Sequence, residues 1–168
     1  MERKRVSDKI VVASGIWVLV LALALKAFYS YMGYFGGLNT SDCIKGKYFF
    51  VDKHFKKLSD GDYFVIRFKG SRLYPKGSLF VKIVGCTPGQ RLYTTMTKNG
   101  PAYYCNNRFL GYACSKKEFK SCPAHINYNM IIPKGYYYAL GTSWKAYDSR
   151  YWGLASIKEV VGKAKKVF

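Results

Sequence analysis

The chain has 168 residues, enough for one domain of ordinary size plus a short appendage. Hydrophobic residues make up 49% and aromatics 18%, which supports a packed core and excludes a disordered chain. The charge is lopsided, 28 Lys plus Arg against 9 Asp plus Glu for a net of +19, and implies attraction to something anionic, either nucleic acid or phospholipid headgroups.

Residues 1–9, MERKRVSDK, form a basic tail, and the uncharged run IVVASGIWVLVLALAL follows from Ile10 to Leu25. A helix over residues 10–29 rises about 30 Å at ~1.5 Å per residue, the thickness of a bilayer core. The pattern predicts one transmembrane anchor there. Lys26 snorkels to the interface, and Phe28, Tyr29, Tyr31, Tyr34 and Phe35 supply an aromatic belt. A cleaved signal peptide is the competing reading, but the apolar stretch is long for one and SYMGYFGG is a weak cleavage site. Arg3, Lys4, Arg5 and Lys9 all precede the span, with Lys45 and Lys47 a sparser group beyond it. The positive-inside rule then keeps the N-terminus in the cytoplasm and sends residues 37–168 out. In a bacterium that is a single-pass inner-membrane protein with a periplasmic domain. No nucleic-acid partner is expected on that side, and the basic surface is read as facing membrane lipid.

Beyond the anchor the pattern is mainly β. KYFFVDK (47–53), DYFVIRFK (62–69), SLFVKIVG (78–85) and RLYTTMT (91–97) are short, aromatic and β-branched, with Gly, Pro or Ser-Asp between them. NMIIPKGYYYALG (129–141) adds two runs around a Pro-Lys-Gly turn, and LASIKEVVGKAKKVF closes the chain as a strand or short helix. There are five cysteines, Cys43, Cys86, Cys105, Cys114 and Cys122. Their spacings contain no C-x-x-C, and neither His54 nor His125 completes a metal-ligand pattern, so no metal is expected. In an oxidising compartment two bridges among four of them are expected, leaving one thiol over. The sequence does not give the connectivity.

No G-x-G-x-x-G or P-loop is present and no cofactor is implied. The route left to a nucleophile is a lysine whose burial strips solvent from its ammonium and lowers its pKa. Most lysines here have polar neighbours. Lys82 lies within LFVKIVG, apolar on both sides; by alternation alone it reads as the outward residue of a half-wet strand.

VKIVGCTPGQ, with Lys82 six residues before Pro88, resembles the lysine box of the signal peptidase I family. GDYFVIRF from Gly61 is similar to the segment that precedes that box, and IPKGYYYALG to the one that follows it. DSRYWGLASIKEVVGKA, Asp148 to Ala164, resembles the family's closing box. The four segments occur in the family's order and cover most of residues 40–164. The resemblance implies a small, mainly β signal-peptidase-like domain over 37–168.

It also implies a catalytic site. Where the family has Ser-x-Ser this chain has Ser41-Asp42-Cys43, which puts Cys43 at the nucleophile and Ser41 at the oxyanion position. Ile44 and Lys45 replace the usual Met and Pro. A thiol ionises more readily than a hydroxyl; a protonated Lys82 favours thiolate and Asp42 disfavours it. A disulfide partner and an inert thiol are the other readings of Cys43. The family reading of Asp148 and Arg150 is a buried pair supporting the lysine, against a surface ion pair of little consequence. The family's Ser that bonds the lysine is Ala146 here, and Ser143 or Thr142 is the hydroxyl available to replace it. The NTS before Cys43 and the short length look like the TraF-type branch, peptidases that mature pilins in conjugative transfer. The implied function is a membrane-tethered endopeptidase acting on pilin or other preproteins alongside conjugation and type IV secretion components. The alternative is a non-catalytic assembly factor that keeps the fold.

Overall fold

The structure is a computed structural model that describes residues 2–32, 34–36, 43–44, 46, 48–114, 122–143 and 145–167. The uninterrupted apolar run is helical, α1 (Glu2–Met32), and its segment Ile10–Tyr31 is long and apolar enough to cross a membrane, with its side chains exposed. At the C-terminal end of α1 the Tyr31 ring stacks on His54 at 4.0 Å, and Lys53 Nζ donates to the Ser30 carbonyl at 2.9 Å.

The remaining elements are nearly all strands. They are β1 (Tyr34–Gly36), β2 (Tyr48–Asp52), β3 (Tyr63–Arg67), β4 (Leu79–Cys86), β5 (Arg91–Thr97), β6 (Gly100–Cys105), β7 (Arg108–Tyr112), β8 (Asn129–Ile131) and β9 (Tyr136–Leu140), then a single helical turn, α2 (Ser149–Trp152), β10 (Ala155–Ser156), a 3₁₀ turn (Ile157–Glu159) and β11 (Val160–Lys166). They form two antiparallel sheets. The larger has the order β1-β2-β11-β3-β4-β9-β10, the smaller β7-β6-β5-β8. The fold is mainly β, as the aromatic and β-branched runs predict.

Most expected strands lie within a residue or two of their predicted bounds. The final run resolves into a two-residue strand, a 3₁₀ turn and a longer strand. Three strands are additional: β1, over Tyr34 and Phe35 of the expected aromatic belt, and β6 and β7, in the stretch where the cysteine spacing dominates the sequence. The β6–β7 hairpin turns at Asn106-Asn107, with Asn106 at φ 47°, a left-handed conformation that asparagine tolerates well.

Both faces of the large sheet are covered at its centre. Phe64, Ile66 and Val84 pack with Leu58, Phe68 and Trp152 on one face; Val65 and Val81 pack with Ile44, Phe49 and Ala164 on the other. The Cys86–Cys105 bridge ties β4 of the large sheet to β6 of the small one, within a core shared by Leu92, Tyr103 and Tyr138. Outside that core Arg108 reaches across to Asp60 at 2.9 Å and to the Gly85 carbonyl at 2.7 Å. The second bridge, Cys114–Cys122, closes a short loop, and Cys43 is the free cysteine.

Candidate active site

Lys82 stands in the middle of β4, opposite Phe64 of β3 and on the same side of the strand as Phe80 and Val84. That side is covered, so Lys82 is only 3% exposed, and its ammonium lies 5.3 Å from the centre of the Phe80 ring. The half-wet strand that alternation suggests is therefore not what surrounds it. Burial pushes its pKa below the usual lysine range, and Arg150 adds to that; Asp148 and Cys43 oppose it by attracting the proton. A lysine so placed has a neutral amine within easier reach than a solvated one.

Cys43 comes to this lysine from far away in the chain. The next residue, Ile44, is buried among Phe49, Val51, Val65 and Val81 and pins the segment to the opposite face of the sheet. The Cys43 carbonyl accepts from the Thr142 backbone N–H at 2.8 Å and from the Thr142 hydroxyl at 3.0 Å. Gly141, just after β9, makes that approach fit: a Cβ there would lie 3.1 Å from the Cys43 carbonyl oxygen and 2.2 Å from the Ala146 Cβ. Half-buried Cys43 is thus held by its backbone against Gly141 and Thr142, within electrostatic reach of Lys82, with its thiol unbridged.

Asp148 and Arg150 support this arrangement from beneath. Asp148 caps the N-terminus of α2, and its carboxylate accepts from Arg150 N–H at 3.1 Å, Arg150 Nε at 2.8 Å, Arg150 Nη2 at 2.6 Å and Gly141 N–H at 2.8 Å. The pair is buried, with side-chain exposures of 0% and 3%. Arg150 spends its other hydrogens on the carbonyls of Tyr112, Ser143 and Ala146, at 2.5, 3.1 and 3.4 Å. Its pKa is held above the ordinary arginine value by the Asp148 carboxylate, against its own burial. Asp148 therefore fixes Gly141, Gly141 precedes Thr142, and Thr142 holds Cys43.

The sequence-derived residues divide accordingly. Cys43, Lys82, Asp148 and Arg150 act on one another through these contacts and charges. Ser143 contributes its carbonyl to Arg150, while its hydroxyl accepts the Lys145 N–H at 3.2 Å; the Thr142 hydroxyl donates to Cys43. Neither bond involves Lys82, and Ala146, fully buried, has no hydroxyl to offer. Ser41 and Asp42 lie outside the described residues. Reading the sequence missed Gly141 and Thr142 as the clamp on Cys43. A glycine directly after a β-branched and aromatic strand is the one local signal, and it does not say what approaches.

The family model described as signal peptidase, peptidase S26, matches residues 7–168. Among solved structures, a signal peptidase I from Enterococcus faecalis V583 is similar at 20% identity, covering 64% of this chain and 97% of that one, with a TM-score of 0.40. No curated protein sequence gives a significant match.

Proposed function

Since the chain belongs to the S26 signal peptidase family, and is therefore of a peptidase type that acts on preproteins, we propose that it is a membrane-tethered endopeptidase using a Cys43–Lys82 dyad. The carrying observation is Lys82 itself: a lysine buried in a covered sheet, with its proton affinity lowered by desolvation and raised by Cys43. In the proposed reaction Cys43 Sγ attacks the scissile carbonyl and its proton passes to Lys82. The tetrahedral oxyanion is held by backbone N–H and the Ser41 hydroxyl, and Lys82 then protonates the departing amine. Water, or the amine of the substrate itself, resolves the thioester; the second route gives a cyclic product. Substrates are leader peptides or pilin precursors of a conjugative or type IV secretion system, a reading that rests on the TraF-like NTS before Cys43 and the short length.

The proposed topology puts residues 1–9 in the cytoplasm, 10–29 in the inner membrane and 37–168 in the periplasm. The tether then keeps the site near the membrane surface, where leader cleavage sites emerge, and raises the effective concentration. Processing of a pilin precursor by wild type, Cys43→Ala, Cys43→Ser and Lys82→Ala tests the dyad. Loss in both alanine variants is expected, and processing that survives both sinks it. A periplasm-dependent reporter fused after Phe168 tests the topology, and an inactive reporter overturns it.

One observation favours a second reading, a non-enzymatic assembly factor. Ala146 stands where the resemblance puts a lysine-bonding serine, and the Thr142 and Ser143 hydroxyls are bonded elsewhere. Pilus assembly that persists in Cys43→Ala while precursor processing is absent in the wild type supports it.

A further inference from the structure

At the C-terminal end of β3 the chain gathers positive charge that the proposed peptidase site does not use. Phe68 N–H donates to the Ser78 carbonyl at 2.7 Å and Gly77 N–H to the Phe68 carbonyl at 2.8 Å, which closes the neck of the β3–β4 hairpin. Lys69 and Lys76 flank that neck, and a Cβ on Gly70 would lie 3.1 Å from the Lys76 Cβ. The 3₁₀ turn ahead of β11 brings Lys158 alongside. The result is a depression of about 460 Å³ lined by Arg67, Lys69, Lys76, Lys158 and Glu159, with Phe68 below.

Four cations thus share the depression with one carboxylate, which leaves a net positive charge; Glu159 Oε2 also accepts the Ser156 N–H at 3.0 Å in a capping box. None of the ion pairs among the described residues, Arg108–Asp60, Arg150–Asp148 and Lys163–Asp62, involves these four cations. Like charges collected in a concave surface repel one another and concentrate positive potential, so an anion entering the depression relieves the repulsion. Beyond the neck the hairpin tip presents Leu73, 59% exposed, to solvent beside Arg72, while the neighbouring Tyr74 packs its ring on Phe80 and Tyr147.

We propose that this depression is a binding site for a phosphate-bearing anion, and that the exposed tip makes a phospholipid headgroup its ligand, with Leu73 entering the acyl region. The site does not depend on the peptidase chemistry. Its cations touch neither Cys43 nor Lys82, and precursor cleavage in detergent is expected to be unchanged when they are removed.

The test uses the full chain in a neutral detergent, titrated calorimetrically with inorganic phosphate, dioctanoyl phosphatidylglycerol, dioctanoyl phosphatidylcholine and a polyglutamate peptide. Phosphatidylglycerol is expected to bind saturably and more tightly than phosphatidylcholine. The double variant Lys69→Gln/Lys76→Gln, checked by thermal melt, should bind it about 25-fold more weakly, at about fivefold per cation removed. Lys98→Gln/Lys134→Gln, exposed lysines on other turns, should bind as wild type does. Leu73→Ser distinguishes the sources. Weakened phosphatidylglycerol binding with phosphate binding unaltered supports a headgroup, whereas phosphate binding equal to that of the lipid and insensitive to the tip supports free phosphate in the same site. Tighter binding of polyglutamate than of either phosphate probe, equal losses in the control variant, or no binding of any phosphate probe overturns the proposal.

Discussion

Replacing Asp148 by alanine is the most informative single perturbation of the buried site. The carboxylate has no solvent exposure and accepts four hydrogen bonds, three from Arg150 and one from the Gly141 N–H. Alanine leaves the Arg150 guanidinium buried without its counter-charge, and arginine does not escape by losing its proton. Breaking a buried pair by removing one partner costs about 3–5 kcal/mol, against about 5–15 kcal/mol for the stability of a whole domain. For a chain of this size each kcal/mol lowers the melting temperature by roughly 2–4 °C, so the expected drop is about 6–20 °C. Circular-dichroism melts of the full chain in detergent measure it. Asp148→Ala/Arg150→Met, which removes the stranded charge, should regain at least half of the loss. A single variant that melts within about 2 °C of wild type, under one kcal/mol, would refute the reasoning. The same substitution removes an attraction that keeps the Lys82 proton on, so the acid-side fall of any cleavage activity should move to lower pH in whatever fraction stays folded.

Lys82 itself makes stability depend on pH. Its folded pKa lies below the usual value of about 10.4, so between the two values the unfolded chain binds more protons and stability rises with pH. Lys82→Met should lack that rise and be at least as stable as wild type at neutral pH; urea midpoints at pH 7 and pH 9.5 that change in parallel for both proteins contradict this. Gly141→Ala forces a methyl against the Ala146 Cβ and the Cys43 carbonyl, costing about 1–3 kcal/mol by overpacking. Thermal melts should show the loss, and Ala146→Gly in the same chain should recover part of it; no recovery would place the strain elsewhere. Maleimide labelling of the native, unreduced protein should modify Cys43 alone among the five cysteines, and a peptide map with Cys43 in a bridge would remove it as a nucleophile. Cys86→Ala/Cys105→Ala, which opens a loop of sequence separation 19, should cost about 3 kcal/mol, read from the urea midpoint.

The sequence by itself determined the features that are local. Ile10 to Leu25 has no charge to interrupt a spanning helix, and aromatic and β-branched runs between turn residues become strands. Five cysteines leave an odd thiol, and four short segments in the right order carry the family. What only the tertiary structure decided depends on residues distant in the chain. Lys82 is buried because its face of β4, shared with Phe80 and Val84, lies under the cluster that includes Leu58, Phe68 and Trp152; period-two alternation marks that lysine as facing a different side from Val81 but not whether that side is wet. Cys86 pairs with Cys105 because the two sheets bring β4 and β6 together, which no spacing encodes. Thr142 grips the Cys43 carbonyl across 99 residues of sequence, and Gly141 is the space that lets it. Burial and close approach belong to the assembled sheets rather than to any one strand, so Cys43 and Lys82 are readable as residues in the sequence and come within electrostatic reach of each other only in the fold.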